Sequence, residues 1–285
     1  MINGFVFNEK NRERTLDGAE MTGVTTVLGY AGNKENLQQW YANQGVARAF
    51  IIGAPEGFEE QYNRVVERDG KLSTDGVKEL DKMFPTFRDA RCEAARVSTK
   101  AAKLGTNAHK IAELFEIGMY DPLKADEEAI KRASPYFQWY AQNVEKTHFV
   151  ERPLFSRSMF IAGTPDGGFL TKDGKNLIND KKFKGGIYDP SPFVQMAAYR
   201  SMLEEMAQDT TTPVRLEWKD GHVDEYKSPR EYLAAIGGVV WDGSVVILVD
   251  GTGDVKPLFR YAYEQDLNTF KAALTIYREY EAYKI

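Results

Sequence analysis

The chain of 285 residues has a single cysteine, Cys92. One thiol excludes an intramolecular disulfide and any four-cysteine metal site. Long apolar runs are missing as well. The most apolar stretch, 236–249, is broken by Asp242 and is too short to span a bilayer. The opening residues 1–8 turn polar too soon for a signal peptide, so the expected setting is cytoplasmic, with no membrane partner. Excess positive charge is also absent, since the net charge is -5. Contact with a polyanion would therefore rest on local basic tracks, because Lys and Arg supply most non-specific affinity for nucleic acid. No internal repeat, low-complexity tract or flexible linker is present.

What the chain does have is an ordinary globular composition, 42% hydrophobic and 28% charged. Its length buries a sizeable core as one large or two modest domains. Asp17 and Gly18 mark a hairpin, and a helix is expected over 34–50. Residues 51–85 are mixed, punctuated by turn signals at Gly53, Gly57, Gly70 and Pro85. A basic helix from about 86, a helix containing His109 and a third over 126–144 come next. Strands are expected near 148–156, 158–170 and 175–183. The run VRLEWKDGHVDEY (214–226) alternates about Asp220 and Gly221, a hairpin signal. It reads as an insertion near 208–232. A run at 239–249 supplies closing strands, and an amphipathic helix over 265–283 ends the chain. Two regions result: 1–85, a hairpin and helical part expected to cap the site, and 86–285, the core.

Chemistry is concentrated between residues 105 and 200. Asp166, in AGTPD (162–166), is followed fourteen positions later by Asp180 and then by Lys182. In NLINDKKF (176–183), Asp180 and Lys182 share one strand face, whereas Lys181 points to the other. Two carboxylates and phosphate oxygens suit Mg²⁺ or Mn²⁺, and the ammonium orients or helps deprotonate an attacking water. The same pattern also describes a solvated surface ion pair. His109 and Glu113 stand four apart on a helix face, which suits one nitrogen and one oxygen metal ligand and equally a partly buried histidine near a helix start. Gln195 and Tyr199 have the same spacing, fitting substrate contact or the polar edge of a core helix. Arg88, Arg91, Arg96, Lys100, Lys103 and Lys110 form a basic track leading into the His109 segment, either a DNA-facing surface or a solvated helix face.

Taken in order, Gly105, His109 and Glu113, then Glu151, then Gly163 and Asp166, then Asp180 and Lys182, then Gln195 and Tyr199 resemble the RecB-type branch of the PD-(D/E)XK nuclease superfamily. GVTTVL (23–28) and LQQW (37–40) are similar to the N-terminal segment of phage RecB-like exonucleases, a layout shared by the mitochondrial genome-maintenance exonuclease. The resemblance implies an α/β fold with a restriction-endonuclease-like core, a mixed central sheet flanked by helices, with N-terminal hairpin and helical additions. It implies a Mg²⁺- or Mn²⁺-dependent DNA exonuclease of phage or bacterial recombination, repair or replication, acting in the host cytoplasm if phage-encoded. The alternatives are an inactive DNA-binding or assembly module on the same fold and a site-specific endonuclease.

Carried onto this chain, the resemblance makes Asp166 and Asp180 metal ligands completed by His109 and Glu113, and Lys182 the catalytic amine. Gln195 and Tyr199 position the substrate, and Glu151 is an outer or DNA-orienting group. Arg88, Arg91, Arg96, Lys100, Lys103 and Lys181 are expected DNA contacts. The partners are DNA and a single-strand annealing or recombination protein. The lone cysteine excludes the iron-sulfur cluster that some RecB-like nucleases carry. One departure is local: Lys181 and Phe183 stand where the family has an aromatic residue and a threonine.

Overall fold

In the computed structural model, which describes residues 3–31, 53, 56–65, 74–187, 189–238, 240–250, 252–260 and 262–282, period-two alternation starts the first sheet. The strand Phe5–Asn8 (β1) buries Phe5 and Phe7 and leaves Val6 and Asn8 half-buried. It returns through Glu13–Leu16 (β2) and Ala19–Glu20 (β3). Asp17 and Gly18 both have positive φ, 53° and 83°, as a two-residue primed turn requires. On its other edge β1 pairs in parallel with Val214–Glu217 (β10), Phe5 opposite Val214, and β10 pairs antiparallel with Val223–Tyr226 (β11). The sheet order is β11-β10-β1-β2-β3.

Two further sheets carry the chemistry. Thr22–Gly23 (β4) lies parallel to Ile161–Gly163 (β7), which pairs antiparallel with Leu154–Ser156 (β6). The larger sheet runs Val255–Phe259 (β13), Gly243–Val249 (β12), Asn176–Lys182 (β9), Gly167–Thr171 (β8) and Val144–Val150 (β5). It is mixed, with β12 parallel to β9 and the other neighbours antiparallel.

Among the described residues the helices are Val24–Ala31 (α1), Phe58–Val65 (α2), Thr74–Met83 (α3), Pro85–Glu116 (α4), Glu127–Asn143 (α5), Ser191–Gln208 (α6), Pro229–Ala235 (α7) and Tyr263–Ala282 (α8). Asp126 caps α5 by accepting from the Ala129 amide at 2.9 Å. Helix α6 is central, with Val194, Met196, Ala198, Tyr199, Met202, Leu203 and Met206 all in the main apolar cluster. A helix apolar around so much of its circumference belongs inside a fold rather than on it. The protein is thus α/β, with mixed sheets flanked by helices.

The chain divides into one unit of 1–32 with 105–285 and a second of 33–104. That division differs from the expected boundary at 85. The reason is the β1–β10 pairing, which joins the N-terminal hairpin to the strands read as an insertion. In the second unit Phe58, Leu80 and Phe87 form a small core of their own.

Other expectations are corrected locally. The basic helix and the His109 helix are one 32-residue helix, α4, since nothing between Pro85 and Glu116 breaks it. The expected strand 148–156 is cut at Glu151, whose φ of 48° ends β5, so β6 joins a different sheet. The strand 158–170 is likewise two strands, β7 and β8, separated by the Thr164–Asp166 corner. The helix expected over 34–50, with Trp40, lies outside the described residues.

Candidate functional site

Helix α4 delivers three polar residues along one stripe, His109, Glu113 and Glu116, at intervals of four and three. His109 Nε2 lies 3.1 Å from Glu113 Oε1, 3.6 Å from Glu151 Oε1 and 3.6 Å from Asp166 Oδ2. Three carboxylates from three different segments thus ring one imidazole nitrogen. Ligand atoms of His109, Glu113 and Glu151 all lie within 4.8 Å of one another, a set with the composition of a metal site. Glu151 reaches it because the chain turns left-handed there, a conformation that costs a non-glycine residue about 1–2 kcal/mol. Its amide donates to the Asp166 carbonyl at 3.2 Å, tying the two corners together.

The electrostatics follow from crowding. Burial works against a charged His109 ring, yet Asp166, Glu113 and Glu151 override it and push the pKa up to about 10. Glu113 answers in the opposite sense. Burial would raise it, but His109 and Lys110, whose Nζ donates at 2.7 Å, bring it down to about 2. Burial raises Glu151 despite its contact with His109.

Strand β9 supplies the second half of the site. Asp180 is 2% exposed, and its Oδ1 accepts from Lys182 Nζ at 2.8 Å. Its Oδ2 is buried and has no partner among the described residues. Burial and the nearby Asp166 charge push Asp180 up to about 6, with Lys182 and His109 opposing. Burial disfavours the Lys182 ammonium, but Asp180, Asp166 and Glu151 more than compensate, so its pKa is raised. In the metal-free protein Lys182 is thus held as an ammonium, a hydrogen-bond donor placed to orient a water.

Lys181 takes the other face of β9, as strand alternation requires. Its side chain is fully buried, with Nζ 2.8 Å and 3.0 Å from the Glu116 carboxylate oxygens. Tyr136 donates to the same carboxylate. The expected DNA contact by Lys181 is corrected accordingly, because a buried, paired ammonium is not offered to a phosphate. Its main-chain amide has a separate task, donating to Asp166 Oδ2 at 2.6 Å.

Gln195 Nε2 donates to the Tyr199 hydroxyl at 3.0 Å. Tyr199 is buried in the main core, its ring lying over Gly163, so only Gln195 of the pair is half-exposed. Burial holds the Tyr199 hydroxyl protonated. Arg88, Arg96, Lys100 and Lys103 are exposed on the part of α4 within the second unit, and Arg88 lies 3.5 Å from Asp89. The Arg91 side chain lies outside the described residues.

Two participants escaped the sequence reading. Glu116 was visible only as the continuation of the His109 and Glu113 stripe, seven residues after the histidine. Arg14, from β2, donates to Thr164 Oγ1 at 3.1 Å, two residues before Asp166, and no local spacing announces that contact. No helix among the described residues is long and apolar enough to cross a membrane. No protein-family model matches the chain, and no curated protein matches it.

Proposed function

We propose that this protein is a divalent-metal-dependent DNA exonuclease with a RecB-like PD-(D/E)XK core. The observation that carries the reading is the convergence of Glu113, Glu151 and Asp166 on His109 Nε2 within 3.6 Å. The Asp180–Lys182 pair on β9 accompanies it. A structural ion-pair cluster would match charges and satisfy its polar atoms. Here carboxylates outnumber their partners, and Asp180 keeps a buried orphan oxygen. Such a donor set, mostly oxygen with one imidazole nitrogen, fits a hard divalent cation.

His109, Glu113, Glu151, Asp166 and Asp180 are the residues that would hold Mg²⁺ or Mn²⁺. The cation would supply Lewis-acid stabilisation of phosphoryl charge and a water of lowered pKa. The protein's own residues do the rest. Lys182, kept as an ammonium, donates to a phosphate oxygen or holds a water in line for attack. Gln195, braced by Tyr199, offers its amide to the substrate backbone. The Lys181 main-chain amide fixes the orientation of Asp166. Lys110, donating to Glu113 Oε2 at 2.7 Å, orients that carboxylate.

The test is digestion of end-labelled single- and double-stranded linear DNA, and of a covalently closed circle, with Mg²⁺, Mn²⁺ or EDTA. Metal-dependent loss of label from linear DNA alone, abolished in Asp180→Ala and Lys182→Ala, is the expected result. Cleavage that survives either substitution removes the assigned roles. Cutting of the closed circle replaces the exonuclease by an endonuclease. Binding without cleavage under any metal makes the protein a DNA-binding module.

A further inference from the structure

Three cations of the site are paired. Lys110 pairs with Glu113, Lys181 with Glu116 and Lys182 with Asp180. Arg14 is different. It is half-buried, and among the described residues it forms no ion pair. Its Nη2 donates to the neutral Thr164 hydroxyl at 3.1 Å, and Nη1 reaches only the Arg12 carbonyl at 3.4 Å. Its Nε is buried and donates to nothing among the described residues. The guanidinium stands over the Phe7 ring, 5.4 Å from its centre.

The groups that act on it electrostatically, after the cost of burial itself, are Tyr199, Arg12 and Glu151. Glu151 is beyond ion-pair distance, and Arg12 adds a second positive charge that likewise has no carboxylate partner among the described residues. The Arg12 charge therefore acts on Arg14 while neither guanidinium has a carboxylate partner among the described residues. A partly buried arginine in this state is costly unless something negative completes it, and its planar fork matches phosphate oxygens. Its location fits that task. Thr164 adjoins Gly163, which the Tyr199 ring covers, and stands two residues before Asp166.

We infer that Arg14 binds a phosphodiester group of the DNA strand next to the bond that is cut. The N-terminal hairpin would then be part of the substrate site and not an addition to it. This rests on the nuclease reading for the identity of the strand, but its test does not depend on cleavage.

The experiment measures binding of fluorescent single-stranded and duplex oligonucleotides with Mg²⁺ over a series of KCl concentrations. The full chain carries Asp180→Asn so that no strand is cut. Adding Arg14→Gln is expected to weaken binding roughly tenfold, the scale of one charge-assisted hydrogen-bonded contact. It should also lower the slope of log Kd against log salt by about one. Arg14→Lys keeps the charge and should keep the slope while losing part of the affinity. A second readout needs no folded glutamine variant. The Arg14 Nε–H resonance of the Asp180→Asn protein, identified by its loss in Arg14→Lys, should move when oligonucleotide is added. An unchanged slope and affinity in Arg14→Gln, or a resonance indifferent to DNA, overturns the inference, as does a protein that binds no oligonucleotide. An Arg14-dependent slope in a chain that cuts nothing without the Asp180 substitution would sink the nuclease reading and leave this one standing. Cleavage by a chain whose binding ignores Arg14 does the reverse.

Discussion

Lys181 and Glu116 face each other across 2.8 Å and 3.0 Å with both side chains closed to solvent, behind the strand whose other face carries Asp180 and Lys182. The lysine stands where the family resemblance leads one to expect an aromatic residue, and the glutamate answers it. Burial and the two opposite charges pull on both groups, but Glu116, Asp166 and Glu113 keep Lys181 charged. Removing one member strands the other. Lys181→Met is expected to destabilise the fold by about 3–5 kcal/mol, and Lys181→Met with Glu116→Leu to recover most of that loss. Urea unfolding of the four proteins of this cycle decides it. A loss in the double variant equal to the sum of the two single losses would mean that the side chains contribute independently, through packing alone.

Asp180 leads to a prediction in the opposite direction. Its pKa is raised from 3.8 to about 6, so between those values the folded protein holds more protons than the unfolded one. Its contribution to stability is complete below about 3.8 and is lost as pH rises through about 6. Metal-free Asp180→Asn is therefore expected to be more stable than the unsubstituted protein at pH 7.5, by about 1–3 kcal/mol. The difference should shrink to nothing near pH 4. Cleavage should vanish in the same variant. A substitution that stabilises while abolishing activity marks a site residue whose strain serves function.

How much of this was legible in the residues depends on the range of the interaction. The β2–β3 turn, the α5 helix and the β10–β11 hairpin are written locally, in Asp17 and Gly18, in Asp126 and in Asp220 and Gly221. The stripe of His109 and Glu113, and the Asp180–Lys182 pair on one strand face, are local periodicities too. The β1–β10 pairing is not, because Phe5 and Val214 meet across more than two hundred residues of chain. Nothing in Phe5–Asn8 says which edge it will choose. The inward turn of Glu151 depends on a backbone angle, φ 48°, that glutamate rarely adopts, and composition carries no trace of it. Lys181 was placed on the correct strand face, but the carboxylate waiting there comes from another element.

The N-terminal hairpin bears directly on the choice between an appended part and an integral one. Phe5 is 1% exposed and stacks on Phe155 with ring centroids 4.3 Å apart. Phe155 lies in β6, which pairs with β7, the strand leading to Asp166. Phe5→Ala should cost about 3–5 kcal/mol and lower activity at a temperature where the unsubstituted protein is fully folded. A thermal melt unchanged by Phe5→Ala would restore the hairpin to the status of an appendage.

His109 should be recognisable by its titration. In the metal-free protein its pKa lies at about 10, against an ordinary 6.5. Its stabilising contribution is whole below about 6.5 and fades as pH rises through about 10. Glu113, held at about 2, contributes above about 4.5, and its share is lost as pH falls through about 2. NMR of the imidazole should find the ring still protonated at pH 8, and Glu113→Gln should bring its titration down. Mn²⁺ must displace that proton to use the nitrogen, so its affinity should rise with pH and lose this dependence in His109→Gln. A histidine that titrates near 6.5 would contradict the ring of carboxylates around it.

Gly163 tests the floor of the site. A Cβ added there would lie 2.5 Å from Tyr199 Cε1 and 3.1 Å from its hydroxyl oxygen, closer than side chains tolerate, so the tyrosine ring must shift. Tyr199 is enclosed by the core and has little room to do so. Gly163→Ala is therefore expected to cost about 1–3 kcal/mol by overpacking and to separate Tyr199 from Gln195. Tyr199→Phe removes the acceptor while keeping the ring, so it should reproduce the loss of activity without the loss of stability. Gly163→Ala combined with Tyr199→Leu relieves the clash, and the melting temperature should recover while turnover does not. That split distinguishes a tyrosine that only fills space from one that also aims Gln195 at the substrate. Full activity in Tyr199→Phe would assign the hydroxyl no part in the reaction.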